Sequence, residues 1–165
     1  ALDQVLKHAV LKNMYLGQSI PVLPDIFNIT LVRNPGASFS LLSRAPSSWT
    51  NPLFISISVA FIGFMIYYYA HYYTATGTGN LLVKAAFGMI LGGAIGNLVD
   101  RIRFKMVTDF IEVGLGDLKW PVFNIADSAI TVGITTLCVY FIAQERAALR
   151  RRADGNSGNK DASNS

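Results

Sequence analysis

Of the four aspartates between Gly92 and Ile130, three stand out beside apolar, glycine-rich runs: Asp100, Asp109 and Asp127. Asp100 closes one run and Asp127 opens the next, so each falls where a membrane helix would meet water. A carboxylate there is costly to desolvate and marks a functional position by default. Asp109 lies between the runs, in Val107-Thr-Asp109-Phe-Ile111, among residues that favour an extended, half-buried backbone. If both helices end on the same side of a bilayer, Asp109 is confined close to Asp127. Two carboxylates at such range cannot easily both ionise and share a proton. The ionised member can activate water while the protonated one polarises a carbonyl and later feeds the leaving amine. Amide hydrolysis by that scheme needs no cofactor and no metal.

Competing chemistries lack their parts. The chain has no HExxH, no GxSxG and no phosphate loop. Cys138 is the only cysteine and falls in an apolar run, where it reads as a small hydrophobe; His8 and His71, the only histidines, cannot form a histidine metal cluster. Asp3 and Lys7 are spaced as a favourable helical pair, acid first. They either tie down the end of a first membrane helix or form a charged wall of a polar site.

The elements that must position these groups follow from composition. The chain has 165 residues, 52% hydrophobic and 15% charged, with mean hydropathy +0.38, which is membrane composition. Its net charge of +4 is concentrated beyond the last apolar run, at Arg146, Arg150, Arg151 and Arg152, and reads as a cytoplasmic anchor rather than a nucleic-acid patch. Leu2 to Leu16 has helical apolar spacing but is too short to span, and with Ala1 in place of methionine the front of this helix is expected to be missing. Gln18 to Leu42 is an insert of about 25 residues, long for a plain connector. It holds a proline pair, the β-branched run Phe27 to Val32 and the turn Asn34-Pro35-Gly36. Asn34 either caps that turn or holds a peptide backbone.

Ser43 to Asn51 reads as a polar loop ending in the interfacial Trp49. Pro52 to Tyr73, Leu81 to Val99 and Phe123 to Ala143 then read as three spans, the first ending in a belt of tyrosines. Thr74 to Asn80 is a tight turn that returns the chain antiparallel. Gly88, Gly92 and Gly96 recur every four residues and would admit a neighbouring helix. Gly93, Asn97 and Asp100 share another face with Arg101 beside it, either as an interhelical clamp or as part of a site. Asn124, Asp127, Ser128, Thr131 and Thr135 form a polar stripe on the last span, which must face protein or a water-filled cleft.

The chain is therefore expected to be a mainly α membrane protein. Four transmembrane helices would carry a small extracytoplasmic β-strand lobe, with an amphiphilic connector, Ile102 to Val122, before the last helix. Residues 1–145 would form one domain, and residues 146–165 a basic, then polar, disordered cytoplasmic tail. Arg33, Arg44, Arg101, Arg103, Lys105 and Lys119 would then lie outside, as ligands for anionic lipid or substrate.

Five ordered blocks carry a resemblance: Asp3-Gln4 with Lys7, Asn34-Pro-Gly-Ala-Ser-Phe39, Gly92-Gly-Ala-Ile-Gly-Asn97 with Asp100-Arg101, Val107-Thr-Asp109-Phe-Ile111, and Phe123-Asn124-Ile-Ala-Asp127. Together they make the chain resemble bacterial lipoprotein signal peptidase (signal peptidase II) over nearly its whole length. The resemblance implies an aspartyl dyad, Asp109 and Asp127, cutting a prolipoprotein just before its lipid-modified cysteine at the outer face of the inner membrane. It implies that Asn34 and Arg101 hold substrate backbone, that Asn97 and Asn124 line the site, and that Asp3, Lys7, Asp100 and Gly93 shape it. Expected partners are lipidated prolipoproteins, membrane phospholipid and globomycin-type inhibitors, with no nucleic acid and a monomeric enzyme. Gly114-Leu-Gly-Asp117 mimics the GxGD signature of presenilin-type proteases but sits in a polar connector. A proton-coupled carrier relaying through Asp100 and Asp127 is the non-enzymatic alternative, although it gives the outer insert no role.

Overall fold

Apolar sequence and polar insert separate into two layers, a helical bundle and a sheet at one end of it. The computed structural model describes residues 2–36, 47–76, 80–116 and 118–162. In chain order the elements are α1 (Leu2–Asn13), β1 (Ser19–Leu23), β2 (Phe27–Asn34), α2 (Ser47–Thr76), α3 (Leu81–Phe104), β3 (Val107–Leu115), β4 (Leu118–Lys119) and α4 (Ile125–Ala162). Among the described residues, three stretches are long and apolar enough to cross a membrane: Trp49–Ala75, Leu81–Phe104 and Ile125–Arg152. α1 has twelve residues, too few for a span.

α3 is the middle of the bundle. It buries 44% of its apolar window, against 6% for α2 and 17% for α4. Val83, Ala86, Phe87 and Ile90 of α3 pack with Met65 of α2 and Leu137 of α4, with Tyr69, Tyr72 and Phe141 around them. The tyrosine run thus divides: Tyr67 and Tyr73 stay exposed, while Tyr69 closes on Phe87 at 5.1 Å between ring centroids. Of the expected stripe only Gly96 meets neighbouring helices, where a Cβ would lie 2.8 Å from Asp3 Oδ2 of α1 and 3.5 Å from the Ala126 Cβ of α4. Gly88 and Gly92 face open space, whereas a Cβ at Gly93 would strike the Ala126 carbonyl and one at Gly133 would lie 2.8 Å from the Ala86 carbonyl. Backbone contact between α3 and α4 therefore depends on Gly93 and Gly133.

Several boundaries shift from the sequence reading. α2 begins at Ser47 rather than Pro52, because Pro52, early in the helix, removes only one backbone bond. α3 runs past Asp100 and Arg101 to Phe104 and is stopped by Lys105 in the left-handed conformation, φ 61°, whose N–H donates to the Arg101 carbonyl at 3.0 Å. α4 continues through the basic segment assigned to a disordered tail, as far as Ala162; the Ala- and Arg-rich run from Arg146 favours helix. Arg44, Asp117, the 43–46 part of the loop expected over Ser43 to Asn51, positions 77–79 and the Ala-Ser-Phe end of the Asn34 block lie outside the described residues.

The insert and the connector form one antiparallel sheet, ordered β1-β2-β3-β4. β2 pairs with β3 in a register that sets Val32 opposite Asp109 and Asn34 opposite Val107. An isolated bridge between Ile111 and Phe123 then fastens β3 to the residues leading into α4. That bridge uses three backbone bonds: Phe110 and Ile111 N–H to the Phe123 carbonyl at 3.0 and 2.8 Å, and Phe123 N–H to the Ile111 carbonyl at 3.0 Å.

Candidate active site

The backbone bridge at Phe123 places Asn124 and the start of α4 beside Asp109. Asn124 is the N-cap of α4. Its Oδ1 accepts from the Asp127 N–H at 3.0 Å, and Asp127 Oδ2 accepts from the Asn124 N–H at 3.2 Å. This is a reciprocal capping box, which satisfies two donors that a helix N-terminus otherwise leaves open. A third, the Ala126 N–H, donates to Asp3 Oδ1 at 3.1 Å.

With its carbonyl committed to the cap, the Asn124 amide must present Nδ2 to the other side. It is fully buried and donates to Asp109 Oδ1 at 2.6 Å, with further contacts to Asn97 Oδ1 at 3.1 Å and the Thr108 carbonyl at 3.3 Å. Asn34 Nδ2 donates to Asp109 Oδ2 at 2.8 Å, while Asn34 Oδ1 accepts from the Gly36 N–H at 2.8 Å. Asn34 thus caps the turn, as one of its two readings had it, and its amide N–H also reaches the Asp109 carboxylate, a contact neither reading named. Asn97 Nδ2 donates to Asp127 Oδ1 at 2.7 Å. Each aspartate is thus held by neutral amide donors and by no direct ion pair among the described residues.

Asp109 is 1% exposed. Burial pushes its carboxyl up from 3.8 to about 6, the Asn34 hydrogen bond opposes this, and the neighbouring Asp127 charge adds to it. Both aspartates open on one cleft of about 390 Å³, lined also by Asn34, Phe54, Arg101 and Trp120. The Arg101 guanidinium lies 5.5 Å from the centre of the Phe54 ring, with a long 3.5 Å contact from one guanidinium nitrogen to the Asn97 carbonyl. Gly36 meets the same ring: its φ is +98° and a Cβ there would overlap Phe54.

Asp3, Lys7 and Asp100 lie behind the cleft rather than in it. Lys7, 2% exposed, pairs with Asp3 at 2.9 Å and Asp100 at 3.3 Å and donates to Asn97 Oδ1 at 3.0 Å. Asp100 also accepts from the Thr108 N–H at 2.9 Å and from Gln4 Nε2 at 2.9 Å, clasping α1, α3 and β3 together. Every site residue named from the sequence except Gly93 therefore enters one connected set, and Gly93 acts through helix contact. Sequence reasoning gave no role to Phe54, Thr108 or Trp120. Aromatic residues before or after a span carry no signal that separates a cleft wall from an interfacial anchor.

The family model for signal peptidase (SPase) II matches residues 1–143. The chain belongs to the signal peptidase II family. Proteins named lipoprotein signal peptidase are similar to it. The one from Geobacter sulfurreducens is 43% identical over 145 residues, covering 88% of this chain and 87% of its own. Those of Halothermothrix orenii and Syntrophus aciditrophicus are 41% and 39% identical, each over 88% of this chain and over 90% and 88% of their own lengths. A solved bacterial membrane enzyme matches the fold with a TM-score of 0.72 and 31% identity, covering 87% of this chain and 82% of its own. This signal peptidase II is thus a multi-pass bacterial membrane protein with a small antiparallel sheet.

Proposed function

We propose that this chain is an aspartic endopeptidase that removes signal peptides from diacylglyceryl-modified prolipoproteins, with Asp109 and Asp127 as its catalytic pair. One observation carries the reading: Asn124 touches both carboxylates, through its side chain to Asp109 at 2.6 Å and its backbone to Asp127 at 3.2 Å. Asp109, the more buried of the two and raised to about 6, polarises the scissile carbonyl and passes its proton to the leaving amine. Asp127, half-buried at the cleft mouth, activates the attacking water. Asn34 and Arg101 hold substrate backbone, and Asn97 and Asn124 orient the carboxylates. No cofactor takes part.

In this reading α1 is part of a fourth span, and the sheet and the cleft lie on the extracytoplasmic side of the inner membrane. The basic end of α4 is then cytoplasmic, as the arginines at 146 and 150–152 favour. The enzyme works as a monomer in contact with phospholipid and is blocked by globomycin-type cyclic peptides. A mobility-shift assay on matched precursors, one with a diacylglyceryl cysteine and one unmodified, tests the substrate class. Cleavage immediately before the cysteine, in the lipidated precursor only, is expected, and globomycin should stop it. Equal cleavage of both precursors, or a cut elsewhere, would overturn the assignment.

A further inference from the structure

Among the described residues, Lys7 lies behind the cleft and makes no direct hydrogen bond or ion pair with either aspartate of the pair, yet it reaches one of them through a single amide. Its ammonium donates to Asn97 Oδ1 at 3.0 Å, and Asn97 Nδ2 donates to Asp127 Oδ1 at 2.7 Å. An asparagine amide has two faces that can be exchanged by a half-turn, and its neighbours decide which faces which way. Here Oδ1 is fixed by two donors, the Lys7 ammonium and Asn124 Nδ2 at 3.1 Å. We propose that Lys7 is a positioning residue for catalysis, an electrostatic lock that holds the Asn97 amide with its N–H toward Asp127 and so keeps that carboxylate free of the proton. The proposal rests on the dyad reading given above.

Pairing with Asp3 and Asp100 does not account for all that Lys7 touches. Asp3 and Asp100 already have neutral donors: the Ala126 N–H to Asp3, and the Thr108 N–H and Gln4 amide to Asp100. Lys7 with these two carboxylates leaves the cluster at net −1, so the ammonium does not complete a balanced pair. What only Lys7 supplies is a cation on the carbonyl of Asn97. Without it, the amide can turn its oxygen to Asp127, an arrangement that requires a proton on that carboxyl. The charged groups facing this region are few. Asp3, Asp100 and Lys7 lie behind it, Arg101 is in the cleft, and His8 and Arg103 line the small cavity on the far side of Lys7.

The test is a double-mutant cycle on the purified full chain, with a diacylglyceryl precursor as substrate and pH profiles for every variant. Lys7→Met is expected to lower kcat about a hundredfold with KM within about twofold. The acid limb of the profile, where the base must lose its proton, should move up by about one unit. In an Asn97→Ala background the same substitution should cost at least about tenfold less in kcat, because the amide is gone and only the direct attraction of the Lys7 charge for the Asp109 carboxylate remains. An equal loss in both backgrounds, or an unshifted acid limb, would overturn the proposal. If Lys7→Met does not fold, Lys7→Met with Asp100→Asn keeps the cluster at net −1, and its profile is read against Asp100→Asn alone. Cleavage that survives Asp109→Asn and Asp127→Asn would instead refute the dyad and leave the lock without an object.

Discussion

Two acids on β3, Asp109 and Glu112, are three residues apart and are driven in opposite directions. Asp109 meets two neutral amides and a second carboxylate, and burial raises it to about 6. Glu112 accepts from the Thr30 hydroxyl at 2.6 Å, the Lys119 ammonium at 2.9 Å and the Asn28 amide at 3.2 Å, and these donors, Thr30 first, pull it down to about 2. Glu112 buckles β2, β3 and β4 together at the outer end of the lobe. Asp109 is kept near a proton at the end next to the helices. At Asp109 burial outweighs two amide donors, whereas at Glu112 a hydroxyl, an ammonium and an amide together outweigh burial; the balance between desolvation and donors decides which acid can hold a proton.

The comparison breaks most visibly if the wrong acid matters for turnover. Asp109→Asn and Asp127→Asn should each lower kcat by at least about a thousandfold, whereas Glu112→Gln should stay within about threefold, since no reacting atom lies at that end. Steady-state cleavage rates separate the two cases. Next in size is Asn124→Ala, which removes the donor to Asp109 and the cap of α4 at once. A loss of about a hundredfold in kcat is expected, together with about 1 kcal/mol of stability from the cap, read by denaturation.

The pH responses should also have opposite signs. Asp109 holds its proton more tightly when folded, so ionising it costs stability as pH rises from 3.8 through about 6. Asp109→Asn should therefore gain in thermal midpoint relative to the wild type across that window, and a constant difference would contradict the raised value. Glu112 contributes stability above its ordinary 4.5, and this is lost as pH falls toward about 2. The alkaline limb of kcat/KM should fall through about 6 if Asp109 is the acid in the free enzyme. The smallest effect expected is from Lys119→Met, whose side chain is 57% exposed. It should lower the midpoint by no more than roughly 2–4 °C with activity unchanged.

Much of this was legible in the sequence because membrane segments punish polar residues. Asp100, Asp127 and Asn97 stand out against apolar runs, and the Val-Thr-Asp-Phe-Ile stretch announces a strand. The placement of the small residues was less readable. Every-fourth glycines suggested a contact face at Gly88, Gly92 and Gly96, yet only Gly96 meets another helix and the backbone approach of α3 and α4 uses Gly93 and Gly133, since periodicity gives a face and not the partner that covers it. Helix ends were misjudged for a related reason: Arg101 to Phe104 are good helix residues, and nothing local marks where water begins. Lys7 and Asp3 were left open between clamp and site wall, and they are a clamp that reaches the site through Asn97. Lys119 was read as an outer cation for anionic lipid or substrate and Glu112 was given no role, because their pairing depends on a hairpin register that sequence spacing does not reveal.

The most direct measurement is single-turnover cleavage of a synthetic diacylglyceryl precursor by Asp109→Asn and Asp127→Asn, each purified and shown by a cooperative unfolding transition to be folded. Both variants should bind the precursor and leave it intact over many wild-type half-times. Appreciable cleavage before the modified cysteine by either folded variant would contradict the account.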